Sequence, residues 1–247
     1  MICAGVDLAA EPRGTALAVI EWRAESVQLV ELQLGVVDSV IVEAAGRVAK
    51  IGIDCAFGWP LEFVEFVARH SDLNSVRSDS DGGMDWRRGL AFRETDRVVR
   101  ERTGRWPLSV STDRLGLTAM RCAGLLDRIQ ASGVSVDRAG SGKVVEVYPG
   151  ASLRLWGFDT TGYRTKPDAR AELLGRIQRE APWFDVKSFA SLIIASGDAF
   201  DAVVAAMCAR SAAIGEYEPP PPAQLERARS EGWIALPTGD LSDLVAQ

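Results

Sequence analysis

Two short apolar stretches of this chain end alike, Gly5-Val6-Asp7 near the start and Gly52-Ile53-Asp54 further on. A carboxylate at the end of a core strand is costly to desolvate unless a cation, a metal or dense hydrogen bonding compensates it. A lone Asp in such a place is read as a residue that turns the chain, so the question is whether other acids join it. Asp198-Ala199-Phe200-Asp201 sets two acids three residues apart at the start of an otherwise apolar helix, and both project from one face. A single Asp there would cap free N–H groups and suit the helix dipole. A second on the same face repels the first and favours a shared cation. Glu146 sits inside a third apolar run, Lys143 to Tyr148, where membership of an acidic cluster and pairing with an arginine account for it equally well.

If Asp7, Asp54, Asp198 and Asp201 meet, an oxygen-only donor set without His or Cys selects a hard ion, Mg²⁺ or Mn²⁺. Two such ions on shared carboxylates suit phosphodiester hydrolysis, by activating a water and stabilising the leaving oxygen. Such a site needs phosphate contacts. Arg93, Arg97 and Arg100 recur at four and three residues along a helix that also carries Glu94, Asp96 and Glu101. That stripe is either a salt-bridged solvated face or a phosphate-contacting one. Lys166 and Arg170, beyond Tyr163, are second choices. His70, the only histidine, precedes a polar stretch and receives no role. No Gly-x-x-x-x-Gly-Lys-Ser/Thr pattern occurs, which excludes a P-loop.

The elements that must position these acids follow from hydrophobic period and turn residues. Ile2 to Ala9 reads as a buried strand, Ala9 to Gly14 as turn chemistry, and Thr15 to Trp22 as the second arm of a hairpin. Ser26 to Leu34 reads as a third strand, with Val30, Leu32 and Leu34 on one face and Val27 and Leu29 on the other. Val36 to Ala49 places Val37, Val40, Ile41, Ala44, Ala45 and Val48 at helical spacings. Lys50 to Asp54 is the second Asp-ended strand. A short helix follows through Val67, and polar, Gly-rich Ser71 to Gly83 reads as a mobile excursion. Phe92 to Arg102 and Leu115 to Ala131 are predicted helices, and Gly133 to Gly142 a loop. Lys143 to Gly150 is read as a strand stopped by proline. Ala151 to Trp156, Asp168 to Glu180 and a buried, Ala- and Val-rich Asp198 to Ala213 are read as helices. Pro219 to Pro222 is a stiff spacer before a polar helix to Glu231 and a short strand, Trp233 to Leu236.

At 247 residues and 47% hydrophobic, the chain can bury a full-sized core. A net charge of -6 gives no global attraction to nucleic acid or to an anionic membrane, so a polyanion would need a local basic patch or metal ions. Cys3, Cys55, Cys122 and Cys208 are widely spaced, which argues against a zinc site and a disulfide scaffold. No apolar run reaches the length of a membrane span, and the first ten residues lack the form of a signal peptide. A reduced, cytoplasmic protein is expected.

The segments Gly5-Val6-Asp7-Leu8-Ala9, Gly52 to Pro60, Arg93-Glu94-Thr95-Asp96-Arg97, Glu146-Val147-Tyr148-Pro149, Asp198-Ala199-Phe200-Asp201-Ala202 and Glu231-Gly232-Trp233-Ile234 follow one another nearly end to end. In that order they resemble the bacterial and archaeal domain-of-unknown-function family 429, grouped with predicted nucleases of ribonuclease H-like fold. The resemblance implies an α/β fold: a mixed sheet whose first three strands are antiparallel, with helices on both faces and acids at the central strand ends. The order of acids is also similar to that of Holliday-junction resolvases, by which likeness Asp7, Asp54, Asp198 and Asp201 would be metal ligands. The stretch 61–142 would be a mostly helical insertion, a lid or a specificity element.

The expectation is therefore a single ribonuclease H-like domain over residues 1–247, acting as a Mg²⁺- or Mn²⁺-dependent nuclease on DNA or RNA. Asp7 would bridge two ions, Asp54 and Asp201 would hold one each and Asp198 would assist. Glu94 and Glu146 are outer candidates, and Arg93, Arg97 and Lys166 would hold phosphate. No membrane partner is expected, and a homodimer is allowed. Two alternatives stand beside this reading. One is a phosphotransferase or ATPase of the same superfold, although Glu11-Pro12 occupies much of the turn where such enzymes hold phosphate with glycines. The other is a non-catalytic interaction module that docks through its proline spacer.

Overall fold

The computed structural model describes residues 1–24, 26–72 and 82–245. In chain order these form β1 (Ile2–Asp7), β2 (Ala16–Trp22), β3 (Val27–Leu34), α1 (Asp38–Arg47), β4 (Lys50–Asp54), α2 (Leu61–Ser71), α3 (Gly83–Ala91), α4 (Glu94–Thr103), α5 (Gly116–Ala131) and β5 (Val144–Glu146). Then come α6 (Pro149–Leu155), α7 (Pro167–Glu180), β6 (Phe184–Asp185), α8 (Ala190–Ala195), α9 (Gly197–Ala213) and α10 (Leu225–Glu231). The strands make one mixed six-stranded sheet in the order β5-β4-β1-β2-β3-β6. β1, β2 and β3 are antiparallel neighbours, whereas β4 runs parallel to β1, and β5 to β4. The expected α/β architecture, with its first three strands antiparallel, is present.

Period-two alternation divides the sheet between two helical layers. Ala4, Val6, Ile51 and Ile53 face α1 and α5, packing on Ile41, Ala44, Leu125 and Ile129. Cys3, Ala18 and Ile20 face α9 and α7, packing among Phe200, Val204 and Leu173. By the same parity Gly5 and Asp7, and Gly52 and Asp54, share the α9 face. A Cβ at Gly5 would stand 2.1 Å from the Ala206 nitrogen and 2.3 Å from the Ala202 oxygen, and one at Gly52 would stand 2.7 Å from the Ala205 oxygen. The two glycines therefore let α9 lie with its backbone directly on β1 and β4. Its own Ala202, Ala205 and Ala206 meet that surface with no side chain to lift the helix away.

The structure departs from the sequence expectation at several elements. β3 carries a register shift against Val19/Ile20, so that Ile20 pairs with Leu29 and Val19 with Glu31. Val30 is the extra residue, and beyond it inside and outside exchange. Leu32 thus joins Val27 and Leu29 in the core, whereas Val30 and Leu34 are exposed. Val37 precedes α1 and is likewise exposed. β5 is only three residues long, because Pro149 opens α6 at a position where its missing N–H costs nothing. Edge strand β6 and helix α3 are additions to the sequence reading. The expected strand at Trp233 to Leu236 is a single parallel bridge of Ile234 to Glu146. The excursion expected at Ser71 to Gly83 falls largely outside the described residues.

The stretch expected to be an insertion, 61–142, contributes to the core. α5 supplies Cys122, Leu125, Leu126 and Ile129 to one core layer. Arg121 secures it to the first hairpin, donating from Nη1 to the Ala9 carbonyl and the Thr15 hydroxyl at 2.7 Å each, and from Nη2 to Asp38 at 2.7 Å.

Because α9 rests on strand backbone, Gly5→Ala has no flexible neighbour to push aside. It is expected to destabilise the protein by about 3 kcal/mol or more, the upper end for overpacking. Urea denaturation of parent and variant measures this, and a loss within error would show that α9 can lift freely.

Candidate metal centre

Asp7 and Asp54 end neighbouring parallel strands and are partners in register. Asp201 comes from the second turn of α9, next to Ala202 and one turn before Ala205, both of which rest on the glycines. The result is a triad: one carboxylate oxygen from each of Asp7, Asp54 and Asp201 lies within 4.8 Å of the other two. Asp201 is fully buried, Asp7 nearly so, and Asp54 half-buried. Ser196 caps α9, its hydroxyl accepting from the Ala199 N–H at 3.2 Å, so neither aspartate is needed as the cap.

Asp201 is held asymmetrically. Its Oδ1 accepts a hydrogen bond of 2.9 Å from the Tyr163 hydroxyl, whereas its Oδ2 is buried without any hydrogen bond. Arg164 Nη1 is 3.0 Å from Oδ2 as an ion-pair contact, and Arg164 Nη2 is 3.9 Å from Asp7 Oδ2. Asp7 and Asp54 make no hydrogen bonds to the described residues through their carboxylates. Burial, then the neighbouring charges of Asp54 and Asp201, push the Asp7 carboxyl well above its ordinary range. Burial and then Asp201 raise Asp54 to about 8. Burial raises Asp201 to about 6, against the pull of Arg164 and Tyr163. For Arg164 burial works against the charge, but Asp201 and Asp7 outweigh it and the guanidinium is held protonated.

Asp7 and Asp54 line a cleft of about 470 Å³, whereas Asp201 is fully buried and is not part of its lining. Leu8, Val147, Tyr148 and Ile234 form one part of its wall, and Pro107, Leu108, Arg114, Leu115 and Thr118 of the insertion form another. Arg114 and Arg164 are its exposed cations. A larger depression of about 850 Å³, bounded by Trp59, Val136, Arg138 and Arg229, has no comparable convergence of acids.

The remaining candidates from sequence are outside the triad, although Glu146 and the buried Arg93 also line the cleft. Asp198, half-buried in the first turn of α9, is outside the triad, although its charge adds to the upward push on Asp7 and Asp201. Glu94 turns away, 3.6 Å from Arg97 and accepting from Gln224 at 3.1 Å. Glu146 is in a different network: its two oxygens take Nη1 and Nη2 of Arg93 at 2.9 and 2.8 Å, and the Phe57 N–H donates to it at 3.0 Å. Arg93 also donates to both oxygens of Asp96 and to the Glu231 carbonyl.

This corrects the arginine stripe. Arg93 is buried at the N-terminus of α4 and bound on all sides, so it has no donor left for a phosphate. Arg97 pairs with Glu94, and Arg100 is exposed. Arg170 is buried too, donating to the carbonyls of Ile194, Ala195, Tyr163 and Arg164. Lys166 is exposed at the start of α7, outside the cleft lining. The exposed cations of the cleft, Arg114 and Arg164, lie in loops without periodicity, and no pattern in the sequence marks them.

The family described as Protein of unknown function (DUF429) matches residues 5–226. The chain belongs to the DUF429 family. No curated protein and no solved structure matches this DUF429 protein. Among its described residues no helix is long and apolar enough to cross a membrane.

Two outcomes follow from the electrostatics. A carboxyl whose folded pKa is raised holds a proton that the unfolded chain releases, so stability falls as pH rises. Without metal, stability is expected to decline from about pH 4, where free aspartates titrate, towards pH 8, the raised value of Asp54. Asp54→Asn should flatten that decline, which urea titrations in EDTA across the range would register. Conversely, Arg93→Met strands Glu146 and Asp96 in the core and is expected to cost about 3–5 kcal/mol. The same titration reads this loss, and a near-neutral variant would mean that water reaches the pair.

Proposed function

We propose that this DUF429 protein hydrolyses phosphodiester bonds in nucleic acid with Mg²⁺ or Mn²⁺, and that its sheet is a ribonuclease H-like one extended by β6. The observation that carries the reading is the triad of Asp7, Asp54 and Asp201, brought together from three separate elements beside a cleft that Asp7 and Asp54 line. Most acidic clusters on protein surfaces are solvated. This one is buried, and one oxygen of Asp201 lacks any hydrogen bond. Antiparallel first strands, acids at the ends of the two central strands and helices on both faces support the fold assignment.

The donor set fits a hard divalent ion, since it offers carboxylate oxygens without His or Cys. Asp7, Asp54 and Asp201 would hold it. Such an ion, when bound, supplies activation of a water and neutralisation of charge on the phosphate. The chain's own residues do the rest. Tyr163 fixes the Asp201 carboxylate through Oδ1 and leaves Oδ2 directed at the site. Arg114 and Arg164 offer charged donors to phosphate oxygens, a task that the globally acidic chain must perform locally. Leu8, Leu108, Leu115 and Ile234 give the cleft apolar walls against which a sugar or base can lie. Asp198 adds negative charge beside the triad and helps to draw a cation.

Phosphotransfer is the weaker reading. The turn between β1 and β2 is folded on itself, with Thr15 Oγ1 accepting from the Ala9 N–H and donating to the Glu11 carbonyl at 3.2 Å each. It leaves no open glycine-rich loop for a nucleotide phosphate.

The full chain incubated with labelled single- and double-stranded DNA and RNA is expected to cleave with Mg²⁺ or Mn²⁺ and not in EDTA. Asp7→Asn should lower the rate by about 100-fold or more, beyond the loss typical of a residue that merely supports a ligand. Absence of cleavage on every substrate, or an Asp7→Asn variant as fast as the parent, overturns the reading. Metal alone at a hundred times its dissociation constant should stabilise the parent by about 2.7 kcal/mol, and thermal melts follow that directly.

A further inference from the structure

Arg164 stands where a metal's charge would be. Its side chain contacts two of the three triad carboxylates, at 3.0 Å from Asp201 Oδ2 and 3.9 Å from Asp7 Oδ2, yet it makes no hydrogen bond with the buried Oδ2. The same side chain is 53% exposed and lines the cleft. Its backbone, by contrast, is fixed. Buried Arg170 donates to the carbonyls of Tyr163 and Arg164 at 2.8 and 3.1 Å, and to those of Ile194 and Ala195 immediately before α9. Gly197 completes the joint, since a Cβ there would stand 2.9 Å from the Arg164 oxygen. A guanidinium on a clamped base, with a half-exposed arm, can change partners without moving the loop.

We propose that Arg164 is the centre's own displaceable counter-ion, paired with Asp201 and Asp7 when no metal is bound and turned into the cleft to take a substrate phosphate when a divalent ion replaces it. The proposal rests on the metal-dependent nuclease reading and adds to it a competition and a hand-over. The competition is electrostatic. A unit positive charge and a divalent ion on the same two carboxylates repel at a distance of a few ångströms, in surroundings where water screens them poorly. Vacating the triad costs Arg164 its pairing, and a phosphate at the mouth of the cleft restores it with bidentate geometry suited to a guanidinium. Metal and substrate then favour each other's binding, because each relieves a position the other needs.

Calorimetric titration of Mn²⁺ alone into the parent, Arg164→Gln, Arg164→Lys and Lys166→Gln separates the parts. Arg164→Gln should bind Mn²⁺ about tenfold more tightly than the parent, as expected for removing one nearby charge. Arg164→Lys should stay close to the parent, and Lys166→Gln, two residues away and exposed, should not change. An Arg164→Gln variant that binds Mn²⁺ no more tightly than a parent that does bind it overturns the competition while leaving the metal centre standing. A parent and variant that both fail to bind Mn²⁺ overturn the metal reading and the counter-ion with it. The hand-over is tested by fluorescence anisotropy with a labelled phosphorothioate oligonucleotide. Arg164→Gln should weaken binding about tenfold in Mn²⁺ and leave it unchanged in EDTA, where the arginine is engaged by the acids. Equal effects in both conditions, or none in Mn²⁺, overturn the hand-over.

Discussion

The architecture of the site depends on one close contact, the backbone of α9 laid on the backbone of β1 and β4 where Gly5 and Gly52 carry no side chain. A helix that packs on a sheet through large side chains stands well off it, and an aspartate on its lower face would have room for water. Here the helix descends until Cβ atoms at the two glycines would collide with its main chain. Asp201, on the same face one turn earlier, is thereby pressed against the ends of β1 and β4 and loses all exposure. The repeated order of Gly, β-branched residue and Asp is thus a single device. Parity puts the glycine and the carboxylate on one face, so the residue that admits the helix also aims the acid at it.

Two buried acidic systems lie side by side at this end of the sheet, and they differ in how completely they are satisfied. Glu146 and Asp96 share Arg93, and every oxygen of the pair has a donor. Glu231 extends the same network, accepting from the N–H groups of Leu61 and Glu94 and from Arg227. Such a network fixes geometry, tying α2, α4 and α10 to β5, and has nothing left to offer a ligand. The triad is the reverse. Three acids face one half-exposed arginine, an oxygen of Asp201 is unbonded, and all three carboxyls are raised in pKa. Both systems are buried; what separates them is the balance of donors to acceptors.

That balance also explains how far the sequence could be read. Strand ends, the parity of Asp7 and Asp54, and the spacing of Asp201 on an apolar helix are local patterns, and each is legible because it repeats at a fixed period. The β-bulge at Val30 is not, since a single extra residue is visible only against its partner strand. Arg93 looks like one member of a surface stripe because helical spacing says nothing of what lies outside the helix. Its partner Glu146 is 53 residues away. Arg164 is illegible in the sequence for the same reason. It lies in a Gly- and Thr-rich turn, and its relation to Asp201 is made by Arg170 and the joint before α9, a contact between segments rather than a pattern within one.

The insertion bears on what the cleft can accept. α5 shares a core layer with the sheet and Arg121 bonds it to the first hairpin, so the wall formed by Pro107 to Thr118 leads directly into an anchored helix. A cleft of about 470 Å³ falls within the range of small-molecule sites rather than of duplex-sized grooves. Under the nuclease reading only a short piece of strand can reach the triad, with a phosphate between Arg114 and Arg164 and its neighbours outside. A rigid base-paired helix would have to bring its backbone down past Leu108 and the exposed Leu117 and Met120 of α5. Under that reading an unpaired strand can bend into the same space at lower cost than a continuous duplex.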